Sequence, residues 1–250
     1  MRALAFPVLI LLVLPGLARE IRPDPAVAGA PAAAEILKAC ADKYAHCATY
    51  QDQGVVRARY EGKDLDNTEE KPFTTAFVRP DRFRFEFRSW DVMGKEDRYV
   101  VWQGGKEVKS WWSLVSRLES HPSLGEGLSG PTGVSGGSAY TVPATLVADA
   151  AWKGEAWTAM KDAYRIEDAA QEGSPCYRIQ RLTSSPARKV HDHELPATRG
   201  KETLWVRRSD HLLVRIDQET DFGTFFVRQT TTYAPRMDAP VAPAALAFGH

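Results

Sequence analysis

F-T-T-A-F-V-R-P-D-R-F-R-F-E-F-R, the run from Phe73 to Arg88, alternates at period two on both sides of a turn. Alternation of this kind marks strands with one face turned from water, so the run reads as a β-hairpin and the chain as a sheet protein. Phe83, Phe85 and Phe87 share one face of the second strand, while Arg82, Arg84, Glu86 and Arg88 share the other. Pro80 suits position i+1 of a turn and Asp81 can bond its own backbone, which makes Arg79 to Arg82 the corner. On the first strand Phe73, Thr75, Phe77 and Arg79 are in phase, so a guanidinium shares the face of two phenylalanines. Left unpaired there it would cost several kcal/mol, and fixed acceptors must take its donors.

Upstream, Val56/Ala58/Tyr60 alternate against Val55/Arg57/Arg59 and predict a strand over 54–60, followed by a polar connection from Gly62 to Lys71. Before it, Ile36, Leu37, Cys40, Tyr44 and Cys47 recur at three and four behind Pro31, which predicts a helix to about Ala48. Downstream, strands over 98–103 and 106–112 meet at Gly104-Gly105, as a tight hairpin prefers. Helical spacing then predicts a helix over 113–119, carrying Leu114 and Leu118. A second short helix opens at Thr141-Val142-Pro143 and carries Leu146 and Val147. The glycine-rich run between them, Leu124 to Ser138, reads as a mobile lid or hinge. Strands resume over 164–168, 176–182, 203–208, 212–218 and 224–233, with short breaks that imply antiparallel pairing. The tail from Ala234 is rich in Pro and Ala and reads as extended.

Lys+Arg 32 against Asp+Glu 32 leaves no field to attract nucleic acid or anionic lipid surfaces. Residues 1–18, M-R-A-L-A-F-P-V-L-I-L-L-V-L-P-G-L-A, have one cation, an apolar core and small residues before Ala18, and read as a secretory signal peptide. Residues 19–31 form a loose leader, and 32–250 a single domain. Export makes disulfides possible among Cys40, Cys47 and Cys176. A helix would hold Cys40 and Cys47 about 10 Å apart, beyond bridging. This leaves a bridge from the helix to Cys176, or free thiols.

Patterns that carry chemistry elsewhere lack their context here. Gly133-Val134-Ser135-Gly136-Gly137 matches G-x-S-x-G, yet no buried strand precedes it and no helix follows. An exported esterase using Ser135 with His191 or His193 is the enzyme alternative. His191-Asp192-His193-Glu194, with His211, could ligate zinc, but Pro186 and Pro196 bracket the run as a loop, and no metal or other cofactor is expected. Asp221-Phe222-Gly223 reads as a turn between strands.

The order of elements resembles the periplasmic lipoprotein carrier family, the LolA-like proteins. The resemblance is carried by an N-terminal helix, the R-P-D-R-F-R-F-E-F strand pair, the W-Q-G-G-K turn, the helical middle, L-W-V-R-R-S-D-H-L-L-V-R, and D-F-G-T near the end. It covers roughly residues 32 to 233. The resemblance implies an α+β fold: a half-open antiparallel sheet, an incomplete barrel, with an N-terminal helix and a lid over 113–150 enclosing an apolar cavity. It also implies binding rather than catalysis, in the periplasm or outside the cell. The partners would be acyl chains of a lipoprotein or lipid, with an envelope receptor or export complex as a further partner and no nucleic acid, and the protein would be a monomer. Phe77, Phe83, Phe85, Phe87, Trp102 and Trp205 are then expected to face the cavity, with Leu114, Leu118, Leu146 and Val147 covering it. The family's arginine before proline, which bonds the lid and holds the cavity closed, matches Arg79. The remaining alternative is a structural envelope protein whose barrel is filled by its own side chains.

Overall fold

The computed structural model describes residues 31–91, 93–147, 156–190 and 193–249. The expected signal peptide, and all of the expected leader except Pro31, lie outside them. Among the described residues the strands are β1 Thr49–Gly62, β2 Leu65–Val78, β3 Arg82–Trp90, β4 Glu96–Gly104, β5 Glu107–Trp112, β6 Arg117–His121, β7 Tyr164–Gln171, β8 Ser174–Ser185, β9 Arg188–Val190, β10 His193–Leu195, β11 Thr198–Arg207, β12 Leu213–Asp221, β13 Phe225–Tyr233 and β14 Arg236–Met237. The helices are α1 Ala33–His46, α2 Leu124–Ser129 and α3 Val142–Leu146, with 3₁₀ turns at Trp157–Ala159 and Pro243–Leu246.

One antiparallel sheet runs β6-β5-β4-β3-β2-β1-β13-β12-β11-β8-β7, and β14 adds to β1. It does not close, so β6 and β7 are its edges, while β9 and β10 pair apart from it. The hairpin over 73–88 forms with Phe73 opposite Phe87, Thr75 opposite Phe85 and Phe77 opposite Phe83. Directly paired residues share a face, so all five phenylalanines point one way. Their inner face carries the core, and α1, α2, α3 and residues 131–141 lie over it.

The N-terminal helix forms for local reasons. Glu35 accepts the Ala32 N–H at 2.9 Å, supplying a partner that the first turn lacks, and Ile36, Leu37, Cys40 and Tyr44 make one buried stripe. Other segments depart from expectation. The polar connection from Gly62 to Lys71 is mostly strand: the turn narrows to Lys63-Asp64, and cross-strand pairs such as Arg57–Glu70 take the place of a hydrophobic face. The helix expected over 113–119 is a turn followed by β6. Ser113 Oγ donates to Asp97, Ser116 adopts a left-handed backbone, and the following residues pair with β5.

The glycine-rich run is packed rather than loose. Ser135, Ser138 and Ala139 are buried, and Gly136, at φ +64°, lies so close to Val56 that a Cβ there would meet its Cγ1 at 2.8 Å. Cys40, Cys47 and Cys176 are all unbridged buried thiols, which removes the disulfide alternative. Burial pushes the Cys40 thiol up to about 12. The tail is a strap across the outer face: the Trp102 indole donates to the Leu246 carbonyl at 2.7 Å, and Arg98 Nη2 to that of Gly249 at 2.9 Å.

Candidate functional site

Strand pairing brings aromatic side chains from five strands into one row on the inner face. Ring centroids step from Tyr233 to Phe73 (5.4 Å), Phe85 (6.3 Å), Phe87 (6.4 Å), Tyr99 (5.9 Å) and Trp112 (5.6 Å). Each spacing suits favourable ring contact, and the row crosses the sheet from β13 to β5 without a polar break. Gly54 makes the start of the row possible, because a Cβ there would fall 2.2 Å from the Phe73 ring. A second aromatic group, Tyr50, Tyr44 and Trp157, joins β1 to the helical cover at 5.6 and 5.8 Å.

The cover is held by a small set of polar contacts. Arg79 Nε donates to the Cys47 carbonyl at 2.9 Å and Nη2 to that of Tyr44 at 3.3 Å. These are carbonyls at the C-terminal end of α1, where a cation is also favoured by the helix dipole. The guanidinium lies 5.0 Å from the Phe77 ring, so the fixed acceptors its position demands come from α1 rather than from 113–150. Tyr44 Oη accepts the Leu213 N–H, Thr141 and Tyr233 share a hydroxyl bond at 2.7 Å, and Gln229 donates to the Gly136 carbonyl at 2.9 Å.

One carboxylate stands among these rings. Asp52 on β1 faces inward beside Tyr50, whose hydroxyl donates to Oδ2 at 2.8 Å, while Oδ1 and the opposing Thr75 hydroxyl have no partner among the described residues. Burial without a cation pushes its carboxyl up to about 6, and burial raises the phenols of Tyr44, Tyr50 and Tyr233 as well. A carboxyl of this kind is mostly protonated at mildly acidic pH and mostly ionised above neutrality.

Of the expected cavity residues, Phe77, Phe83, Phe85 and Phe87 lie on the inner face, and Leu146 and Val147 lie in the cover, at most 3% exposed except for the half-buried Val147. The other four are placed elsewhere. Phe85 pairs with Val101, so Trp102 falls on the outer face, opposite Arg84 and beneath the C-terminal strap. Leu204 is inner and fully buried, so Trp205 is outer, its indole donating to Asp217 and its ring flanked by Arg178 and Arg215 at 4.7 and 5.1 Å. Leu114 and Leu118, on the turn and edge strand that replace the expected helix, are 64% and 50% exposed. Sequence reading missed Asp52 and Tyr233. Asp52 is in phase with Tyr50 and Val56, and starting β1 at Thr49 instead of Gly54 would have exposed that signal.

Ser135 is fully buried, and its Oγ accepts the Ala139 N–H at 3.2 Å, so it shapes a turn instead of presenting a nucleophile. His191 and Asp192 lie outside the described residues, as does the His193 side chain. Among the described residues no three His, Cys, Asp or Glu side chains gather as a metal site would require.

No family model matches the chain, and no curated protein does. Several solved structures align with most of the chain at low identity. LprF from Mycobacterium bovis is 11% identical at a TM-score of 0.43, over 84% of this chain and 94% of that one. Pseudomonas aeruginosa MucB, in its complex with MucA, is 11% identical at a TM-score of 0.42, over 87% of this chain and 61% of that one. A LolA superfamily protein from Nitrosomonas europaea is 12% identical at a TM-score of 0.30, over 86% and 96%.

Proposed function

We propose that this is an exported binding protein that takes an acyl chain of a lipid or lipoprotein between the aromatic row and its cover. The observation that carries the reading is the uninterrupted inner row from Tyr233 to Trp112, on a sheet that never closes, under a cover tied down by a few hydrogen bonds. Burying one methylene is worth about 0.8 kcal/mol, so a chain of a dozen carbons supplies ample gross binding before ordering costs. Phe83 and Phe85 are fully buried beneath the cover. An acyl chain must therefore displace part of the cover, and the bonds from Arg79 to α1 favour its return and the release of cargo. Phe77, Phe83, Phe85 and Phe87, with Leu146 and Val147 above them, are the proposed contacts. Arg79 is the proposed gate.

Burial of the same rings also favours a second reading, a structural envelope protein whose core is simply full. Native mass spectrometry of the mature protein, purified without detergent and then solvent-extracted, separates the two. A stoichiometric acylated species supports the binding reading. A clean apo mass that persists after incubation with lipids and diacylated peptides overturns it in favour of the structural one.

A further inference from the structure

The outer face holds a pocket that the acyl-binding reading does not use. It has a volume of about 260 Å³ and lies between β14, β1, β2 and β3, with Ala245 of the C-terminal strap at its rim. Strand register explains its shape. Arg236 pairs with Gln51, Gln51 with Ala76, and Ala76 with Arg84, so these four residues form one rung across four strands. Neighbouring strands lie about 4.8 Å apart, which sets the two arginine Cα atoms roughly 14 Å from one another with the small Ala76 between. Two extended guanidinium side chains can converge over that gap. Gln53 and Thr74, paired on the next rung, add an amide and a hydroxyl.

The arginines around the pocket outnumber the carboxylates. Glu86 accepts from Arg84, Arg88 and Arg98, and Arg88 also reaches Glu96 at 3.7 Å, so two carboxylates meet three guanidiniums. Arg84 Nε is buried with no acceptor among the described residues, and the Arg236, Gln51, Gln53 and Thr74 side chains have no hydrogen-bond or ionic partner among them. Asp52 also lines the pocket, but its carboxylate bonds Tyr50 on the opposite face of the sheet. Apart from Asp52, the lining side chains are neutral or cationic, and the nearby carboxylate of Glu86, opposite Thr74, is already held by arginines.

We propose that this pocket binds a phosphate-bearing group, either a free phosphate ester or the headgroup of a phospholipid. Arginine presents planar forks of N–H donors suited to oxyanions. A tetrahedral phosphate has enough oxygens for donors that approach from four strands, whereas a carboxylate has two.

Titration of the ¹⁵N-labelled protein in a phosphate-free buffer tests this, with inorganic phosphate, then glycerol 3-phosphate, then phosphatidylcholine vesicles with and without phosphatidic acid. The amides of Gln51, Thr74 and Ala76 and the Trp102 indole should shift together and saturate. Arg236→Gln, at an exposed residue, should weaken binding on the order of tenfold. Ala245→Leu, which fills the pocket while leaving every charge in place, should weaken it as well. Shifts with the soluble esters assign the site to free phosphates. Shifts confined to vesicles that contain phosphatidic acid assign it to a membrane headgroup. No saturable shift with any probe, or binding undiminished in both variants, overturns the proposal. Because the pocket lies on the face opposite the aromatic row, loss of phosphate binding leaves the acyl reading intact, and an apo mass in the acyl experiment leaves this one intact.

Discussion

Two buried carboxylates, on opposite faces of the same sheet, behave in opposite ways. Asp52 faces inward among tyrosines with no cation, and burial raises its carboxyl to about 6. Glu86 faces outward, two strands away, where burial also pushes upward but Arg98, Arg88 and Arg84 outweigh it and hold the carboxyl below its usual range. The inner face buries Asp52 without a cation, whereas the outer face surrounds Glu86 with three, although one sheet supplies both. A sheet can therefore hold an apolar site and an ionic one back to back, because successive residues point to opposite sides.

The sharpest break of this contrast is to remove one side chain from each face. Phe85→Ala should destabilise by about 3–5 kcal/mol, since it empties the middle of the inner row. Trp102→Ala, half-covered by the strap, should cost clearly less, and equilibrium urea unfolding of both variants measures the difference.

The next largest effect concerns Asp52 and has a definite sign. Its native carboxyl, at about 6, binds a proton more tightly than the ordinary value of 3.8, so its contribution is fully present below pH 4 and is lost as pH rises through 6. The two-unit difference is worth about 3 kcal/mol. Asp52→Asn should abolish that loss, so its stability relative to the parent should rise between pH 4 and pH 8. A parent-minus-variant difference that stays flat across this range would sink the assignment.

Glu86→Gln probes the other face. It leaves Arg84 and Arg98 facing a neutral amide, while Arg88 keeps Glu96, and should cost about 1–3 kcal/mol at pH 7. The parent's native carboxyl is held low, so the contribution of Glu86 is present at neutral pH and lost on acidification, the reverse of Asp52. The smallest effect belongs to Arg79→Leu: about 1 kcal/mol from two partly buried hydrogen bonds, with faster amide exchange at the end of α1 and slower release of any acyl ligand. Unaltered release would remove Arg79 from the gating role.

The sequence was most legible where alternation was strict. Phe83, Phe85 and Phe87 name the inner face of β3 without help, and parity alone puts Arg79 where a fixed acceptor is needed. It was least legible where both faces are apolar. Tyr99-Val100-Val101-Trp102 does not show which parity is inner, because Val100 is buried on the outer face and the strap covers Trp102 there with residues some 145 positions later. Trp205 misleads for a related reason: an aromatic ring flanked by two arginines is content on an outer face. The strand over 65–71 was hidden because ion pairs across β1, not hydrophobic alternation, accompany it. Leu114 and Leu118 have helical spacing, but a left-handed Ser116 between them ends any helix.

A sheet left open has two unpaired edges, each a row of backbone donors and acceptors that another extended chain could extend into an aggregate. Here one edge, β6, is five residues long with charged Arg117 and Glu119, and the other, β7, shifts register between Ile166 and Ala169. A short charged edge and a bulged one both resist the addition of a further strand. The chain can thus leave its sheet unclosed without inviting its neighbours to close it.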